Sequence, residues 1–423
     1  MTARIDLDEK TSMTTQATDL SFASRRADDI RLVAGVSAAH FVSHYYILVL
    51  PPLFAFVRAE YNVSYTELGL ALTVFNAVSL VLQTPTGFLV DKINARLVLV
   101  AGLLIGALGL AVAAAVNSYW VLVAMFALMG VGNTVYHPAD YALMSRHVAP
   151  ERASQAYSIH TFAGLLGGAA APGSLLFMQS QFGWRGALFG AAILGLVVAI
   201  VLLFQRDPPD ANAPDKARAA AAKGKTAGGG DGSWRVLLSP PVLTSLVFFM
   251  FLAFHNFGLQ GFLVVGLDAL HGTSPATANT ALSVYLTLGA IGVLVGGWVA
   301  SRTARHALVA AISLVVIAAA AMLMGSVDPG ALLLIAIVAV SGLFNGMIMP
   351  SRDMIVRAVT PAGSYGKVFG FVTNGFNVAG ILAPLVFGAL MDHGEPRLMF
   401  ILLAACSVAA LITVVSVPRR RAA

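Results

Sequence analysis

The sequence predicts an all-α membrane protein of twelve transmembrane helices, arranged as two pseudo-symmetric six-helix bundles. Three observations lead there. Of 423 residues, 58% are hydrophobic and only 11% are charged, against about 25% charged in an ordinary soluble domain. Apolar runs recur along the chain, continuous rather than alternating, each long enough to cross ~30 Å of hydrocarbon as a helix. Only helices and closed barrels satisfy their backbone groups in lipid. The chain also repeats itself. Gly87-Phe88-Leu89-Val90-Asp91-Lys92-Ile93-Asn94-Ala95-Arg96 is echoed 210 residues later by Gly297-Trp298-Val299-Ala300-Ser301-Arg302-Thr303-Ala304-Arg305, while Asn133, Pro138 and Pro172 return as Asn345, Pro350 and Pro384 at an offset of 212. A repeat of half the chain sets the architecture before any local reading.

The spans follow in order. The first, 32–57, carries His40, His44, Tyr45 and Tyr46. The second, 66–89, closes on Gly87 before the loop containing Asp91, Lys92 and Arg96. The third, 97–116, is wholly apolar. The fourth, 119–145, brings Asn133, Tyr136, His137 and Asp140. The fifth, 156–178, holds the run Gly164–Gly173, whose small residues allow tight helix contact and whose Pro172 permits a bend. The sixth, 186–204, leads into 206–236, where Asp-Pro-Pro-Asp and Gly228-Gly229-Gly230-Asp231-Gly232 cannot bury a core and predict a linker. The second half supplies 242–267 with His255 and Asn256 at its middle, 276–300 ending at Gly297, 307–326, 331–356 with Asn345 and Arg352, 368–390 with Pro384, and 398–417 with Cys406. The bundles are therefore 31–205 and 237–417, with tails 1–30 and 418–423.

Basic residues orient the chain. With a cytoplasmic N-terminus, 22 of the 26 Lys and Arg fall on the inner side; Arg58, Arg185 and Arg397 are outside and Arg352 lies within a span. This asymmetry predicts a multi-pass protein of a bacterial-type inner membrane with both termini cytoplasmic. The net charge of +6 reflects that orientation, and nucleic acid is no expected partner, because no basic patch is interleaved with aromatics. No apolar core precedes the first span, which is expected to serve as an uncleaved insertion signal. The single Cys406 excludes an internal disulfide and a structural zinc site. No folded aqueous domain fits between the spans, and neither a nucleophile–base set nor a Gly-rich phosphate loop is present. An enzyme and an ATP-driven pump are both disfavoured; no cofactor and no metal are expected, and the protein is expected to be a monomer.

The loop after the second span has a physical logic. Gly87 is expected to let one helix end approach its neighbour closely. Asp91, at a helix–loop junction, can accept from a helix N-terminus or pair with a base. An ordinary inner-side loop would explain Lys92 and Arg96 but not Gly87 and Asp91 at that spacing. These residues resemble the signature of the major facilitator superfamily between helices 2 and 3, with Asn94 where the family has Gly. The echo between helices 8 and 9 keeps Gly297, Arg302 and Arg305 but has Ser301 for the acid. Gly130-Val131-Gly132, Pro138 and Pro150-Glu151-Arg152 are similar to the family's helix 4 pattern. The resemblance implies the major facilitator fold and a secondary transporter working by alternating access, with the signature loop as inner gate. Within the family the chain looks most like the fosmidomycin-resistance-like, drug–proton antiporter branch, on His40-Phe41, Pro51-Pro52-Leu53, Ser64-Tyr65-Thr66-Glu67-Leu68-Gly69 and His137-Pro138. It departs there at Ser43-His44, where the branch has Asn-Asp, and at Ala139, where the branch has an acid. Helix 5 is similar to the antiporter motif of drug exporters, with Ala171 in place of the Gly before Pro. This implies proton-coupled efflux of a small polar or anionic organic molecule; proton-coupled uptake of an organic acid by symport is the alternative.

Ionisable groups at mid-bilayer cost ~2.5–3.5 kcal/mol on insertion scales, so those present usually face a cavity. Asn133, Tyr136, His137 and Asp140 are spaced to share one helical face, as are Asn345 and Arg352. By the repeat offset Arg352 is the counterpart of Asp140. Arg352 could hold a substrate anion by bidentate hydrogen bonds and Asp140 could carry the coupling proton, or the two could form a static pair joining the halves. Asp353 lies off the Arg352 face, four residues from Arg357, and is expected to pair there. His40 and His44 are spaced i,i+4 but have no acid or Cys nearby in sequence to complete a metal site. The substrate-binding candidates are Arg352, His44, Tyr45, Asn133, His137, His255, Asn256 and Asn345. The proton-coupling candidates are Asp140, His137 and His44. His160, Asn76, Gln83, Gln260, Asn374 and Asn377 fit packing or cavity lining equally.

Overall fold

Apolar helix length sets the architecture. A computed structural model of the protein describes residues 27–148, 150–205, 234–360 and 365–416. Residues 1–26 of the expected N-terminal tail, 206–233 of the expected linker and all of the expected C-terminal tail, 418–423, lie outside the described residues.

The first helix, α1 (27–47), ends where Pro51 and Pro52 have no N–H to continue its ladder. A 3₁₀ turn, Pro51–Leu53, and α2, Phe54–Tyr61, complete the crossing. Next, α3 (Tyr65–Lys92) begins on a capping box: the Ser64 hydroxyl accepts from the Glu67 N–H at 3.1 Å and Glu67 accepts from the Ser64 N–H at 2.7 Å. Asn94 caps α4 (Ala95–Ala115), its side chain accepting from the N–H groups of Arg96 and Leu97. The residue that departs from the family pattern thus starts the next helix.

The fourth span, expected as one helix, is two: α5 (Tyr119–Asn133) and α6 (Tyr136–His147). Pro138 cannot donate to the Thr134 carbonyl, so the ladder breaks one turn upstream, at Thr134–Val135. The stretch Pro150–Phe204 turns at Gly183, φ 70 and ψ 171. The turn divides it into α7 (150–182) and α8 (184–204), and it doubles back: a Cβ on Gly190 would lie 2.3 Å from Met178 Sδ. Among the described residues, eleven helical stretches are long and apolar enough to cross a bilayer, and this hairpin makes twelve crossings of them. The second half contains α9 (Pro240–His271), α10 (Pro275–Arg302), α11 (His306–Ser326), α12 (Gly330–Val359), α13 (Tyr365–Asp392) and α14 (Pro396–Ser416). A short 3₁₀ turn, Trp234–Leu238, precedes them, so regular structure begins inside the range expected for the linker.

Small residues set how closely the helices pack, as in lipid they must. A Cβ on Gly346 would lie 1.9 Å from the Gly289 carbonyl oxygen, and one on Gly342 2.2 Å from that of Tyr285, so α10 and α12 touch backbone to backbone. Gly167 does the same for α7 against α1, its Cβ position 2.0 Å from the Phe41 carbonyl, and a Cβ on Gly164 would lie 2.6 Å from the His40 ring. The glycine run of the fifth span therefore presses His40 and His44 against α7.

The two halves meet asymmetrically. Near the membrane side bearing Arg58, the Asp392 carboxylate at the end of α13 accepts from the N–H groups of Tyr65 and Thr66 and from the Thr66 hydroxyl at the start of α3. A turn or two further in, Thr73 donates to the Ile381 carbonyl at 2.8 Å, and a Cβ on Gly69 would lie 2.4 Å from the Pro384 carbonyl. Toward the Lys92 side a Cβ on Gly87, Gly297 or Gly370 would meet nothing within 4 Å, and Gln83, Thr373 and Asn374 are exposed. The interface is sealed on the Arg58 side and parted on the Lys92 side. The close helix approach expected at Gly87 is not seen among the described residues.

Candidate functional site

Two polar clusters occupy the interior, one in each half. In the first half, α1, α6 and α7 bring four imidazoles and one carboxylate together. The His40 and His160 rings stack at 3.9 Å and 10°. His40 Nδ1 is 2.8 Å from the His160 carbonyl, so that nitrogen carries the proton and donates. Rings of His44 and His137 pack edge-on against His40, at 4.6 and 5.3 Å. His160 Nε2 lies 3.6 Å from Asp140 Oδ2, and both side chains are completely buried. His137 is exposed, whereas Asp140 and Tyr136 are buried.

The predicted common face of the fourth span is thus split. Tyr136 and Asp140 point inward toward the packed bundle, while His137 and Tyr141 stack on each other at 6.1 Å along the exposed edge. The break at Thr134–Val135 also removes Asn133 from their register. Asn133 donates to Ser79 on α3 at 3.4 Å. An exposed imidazole facing lipid would be costly, and its contact with His40 places it toward the interior instead.

In the second half, the Arg352 guanidinium lies over the Phe249 ring, 4.4 Å from the centroid, and 5.4 Å from that of Phe376. Its Nε donates to Asp353 Oδ1 at 2.9 Å. The Arg352 side chain is 13% exposed and that of Asp353 48%. The expected Asp353–Arg357 pair is replaced by this one: neighbours on a helix point about 100° apart, but the arginine stem is long enough to curl back. Nor do Asp140 and Arg352 pair with each other: the carboxylate is engaged with His160 and the guanidinium with Asp353.

The remaining candidates are placed less centrally. His255 is fully buried with Nδ1 2.9 Å from the Leu403 carbonyl and 3.0 Å from the Ser407 hydroxyl, so it faces α14 rather than an open space. Asn256 donates to the Leu252 carbonyl and accepts from Tyr285, tying α9 to α10. Tyr45 is buried and bonded to Ser174 on α7 at 2.8 Å. Asn345 is buried with an unpartnered side-chain oxygen. Beneath the seal, Leu72, Asn76, Phe257, Gln260 and Pro384 line a small cleft between the halves, of about 30 Å³. At the gate sequences, Lys92 and both Arg302 and Arg305 are exposed, Arg302 stacks on Trp298 at 4.1 Å, and Arg96 is buried; the side chain of Asp91 lies outside what is described. Sequence reasoning did not single out Tyr141, Tyr157, Phe249 or Phe376. Tyr141 could have been found as the i,i+4 partner of His137, but the two phenylalanines lie on other helices and gave no local signal.

Twelve crossings in two similar bundles, closed on one membrane side, parted on the other and holding ionisable groups between lipid-facing helices, define a multi-pass membrane carrier. The chain belongs to the Major Facilitator Superfamily, whose family model matches residues 36–270 and again 246–423. It is a transporter, not an enzyme. The fosmidomycin resistance protein of Escherichia coli (strain K12) is 21% identical over 389 residues, covering 90% of this chain and 92% of that protein. The probable sulfoacetate transporter SauU of Cupriavidus necator is 25% identical over 362 residues, covering 82% and 83%. The probable L-galactonate transporter of Escherichia coli (strain K12) is 24% identical over 253 residues, 57% of this chain and about half, 55%, of that protein. A crystal structure of a bacterial homologue of the human lysosomal transporter Spinster, inward-facing and occupied, superposes with a TM-score of 0.70 at 15% identity, covering 91% of this chain and 93% of that one. That likeness shows the fold.

Proposed function

We propose that the protein is a proton-coupled secondary transporter of a small organic anion, working by alternating access in a bacterial inner membrane with both termini cytoplasmic. The Lys92 side is then cytoplasmic and the structure inward-open. The observation that carries this reading is Arg352. Aromatic rings hold its guanidinium flat, Asp353 takes only Nε, and the two terminal nitrogens have no bond among the described residues. A planar fork so held suits bidentate recognition of a carboxylate or sulfonate. Two relatives carry the names of such anions, L-galactonate and sulfoacetate.

Asp140 is the candidate proton carrier, with His137 and His44 on its route, and the Gly87–Arg96 and Gly297–Arg305 loops are the candidate inner gate. Export is the direction favoured by the fosmidomycin-resistance likeness; the two anion-named relatives keep uptake by symport as the second reading. Reconstituted protein should move a labelled aldonate or sulfonate faster than protein-free vesicles. Arg352→Lys should lower that rate by about tenfold or more at unchanged expression, because an ammonium lacks the planar fork; transport equal to the parent protein removes Arg352 from substrate binding. A deletion strain separates the directions: loss of growth on one organic acid means import, new sensitivity to an antimicrobial means export.

A further inference from the structure

Asp140 has no route of its own to water. Its side chain is completely buried, and neither carboxyl oxygen has a hydrogen-bond partner. The only ionisable side chain within ion-pair reach of it, among the described residues, is His160. His160 is equally buried, and neither of its ring nitrogens is hydrogen-bonded. The stacked neighbour His40 spends Nδ1 on the His160 carbonyl and leaves Nε2 bare and buried. Five unpartnered buried polar atoms thus collect in three touching side chains. Each such atom costs free energy that packing alone would not retain. Beyond His40 the rings continue to His137, which is exposed, and to His44, which is half-buried. The titratable groups facing this cluster are Tyr136 and Tyr141 from α6, Tyr157 from α7 and the imidazoles themselves.

We infer that His160 is the relay through which Asp140 exchanges its proton with the cavity on the His137 side. The inference rests on the reading of Asp140 as proton carrier. In the releasing direction the Asp140 O–H breaks as an N–H forms on His160 Nε2, leaving a carboxylate and an imidazolium. The parallel stack with His40 offers no in-plane path between those two rings, so the imidazolium gives up the proton on its other nitrogen to water admitted from the exposed His137 side. His40 keeps its Nδ1 proton on the His160 carbonyl, and the His160 ring returns to its starting tautomer by rotation. One proton crosses and no charge is left behind in the relay. His160 is a positioning and relay residue; it need not touch substrate.

The test uses full-length protein in liposomes of bacterial lipid, with protons as the probe. A pH jump is followed by infrared difference spectroscopy of the buried carboxyl band, assigned as the band that Asp140→Asn removes. His160→Ala should slow the band's response by about tenfold or more, and added imidazole, filling the space left, should restore it. His160→Gln, which keeps bulk but cannot titrate, should be as slow and serves if the alanine variant does not fold. An unslowed response overturns the relay, and so does a slowed response that imidazole leaves unchanged, which marks a structural role. If Asp140→Asn removes no titrating band, the underlying reading of Asp140 fails instead.

Discussion

Replacing Asp392 with Asn should open the seal on the Arg58 side. The native carboxylate ends α13 and caps the start of α3 across the two halves. It accepts from the Tyr65 N–H at 2.6 Å, the Thr66 N–H at 2.8 Å and the Thr66 hydroxyl at 2.5 Å. A negative charge at a helix N-terminus contributes about 0.3–1 kcal/mol, and each hydrogen bond to a charged group about 1.5–3 kcal/mol before screening. The site is partly exposed, so water replaces much of what is lost. Asparagine keeps one acceptor oxygen but turns a donor group toward the helix end. A net cost of about 1–3 kcal/mol to the sealed state is a shift of about 5–150-fold in the equilibrium between sealed and open forms. Gln260 lines the cleft under the seal and offers a reporter. In a Cys406→Ser background, Gln260→Cys should react with a membrane-impermeant maleimide from the Arg58 side faster by that factor once Asp392→Asn is added. An unchanged rate refutes the latch, and so does a gain confined to reagent added on the Lys92 side.

Other outcomes follow from the same geometry. Asp140→Asn should abolish accumulation driven by a pH gradient while sparing exchange of substrate across the vesicle membrane; uphill transport at the parent rate removes Asp140 from coupling. Gly346→Ala should lower the thermal midpoint, because its Cβ would sit 1.9 Å from the Gly289 carbonyl and overpacking costs about 1–3 kcal/mol. Gly87→Val should leave the midpoint unchanged, since nothing lies within 4 Å, yet slow transport if the Lys92 side must close; equal transport by that variant argues against a gate at Gly87.

Most of the fold was legible because lipid leaves so few options. Apolar run length placed all twelve crossings, and the helix ends lie within a few residues of those read from hydropathy. What escaped was local chemistry acting through the ladder. Pro138 broke the fourth span upstream of itself, and the break decided which way Tyr136, His137 and Asp140 point. The candidate site was legible in its residue types but not in its partners. Asp140 and Arg352 were recognisable as repeat counterparts, but sequence offset says nothing of distance, and each found a nearer partner, His160 on α7 and Asp353 next door. His255 looked like a cavity residue by its place in the span. Its rotation about the helix axis, fixed by packing against α14, turned it inward to Leu403 and Ser407 instead.

The central claim is gradient-driven movement of an organic anion through the space between the halves. Purified protein in sealed vesicles, given an imposed pH difference and a labelled panel of aldonates, sulfonates and simple carboxylates, should accumulate at least one of them against its concentration gradient, and collapse of the pH difference should abolish that accumulation. Flux no greater than in empty vesicles for every anion tried, or accumulation indifferent to the pH difference, contradicts the account.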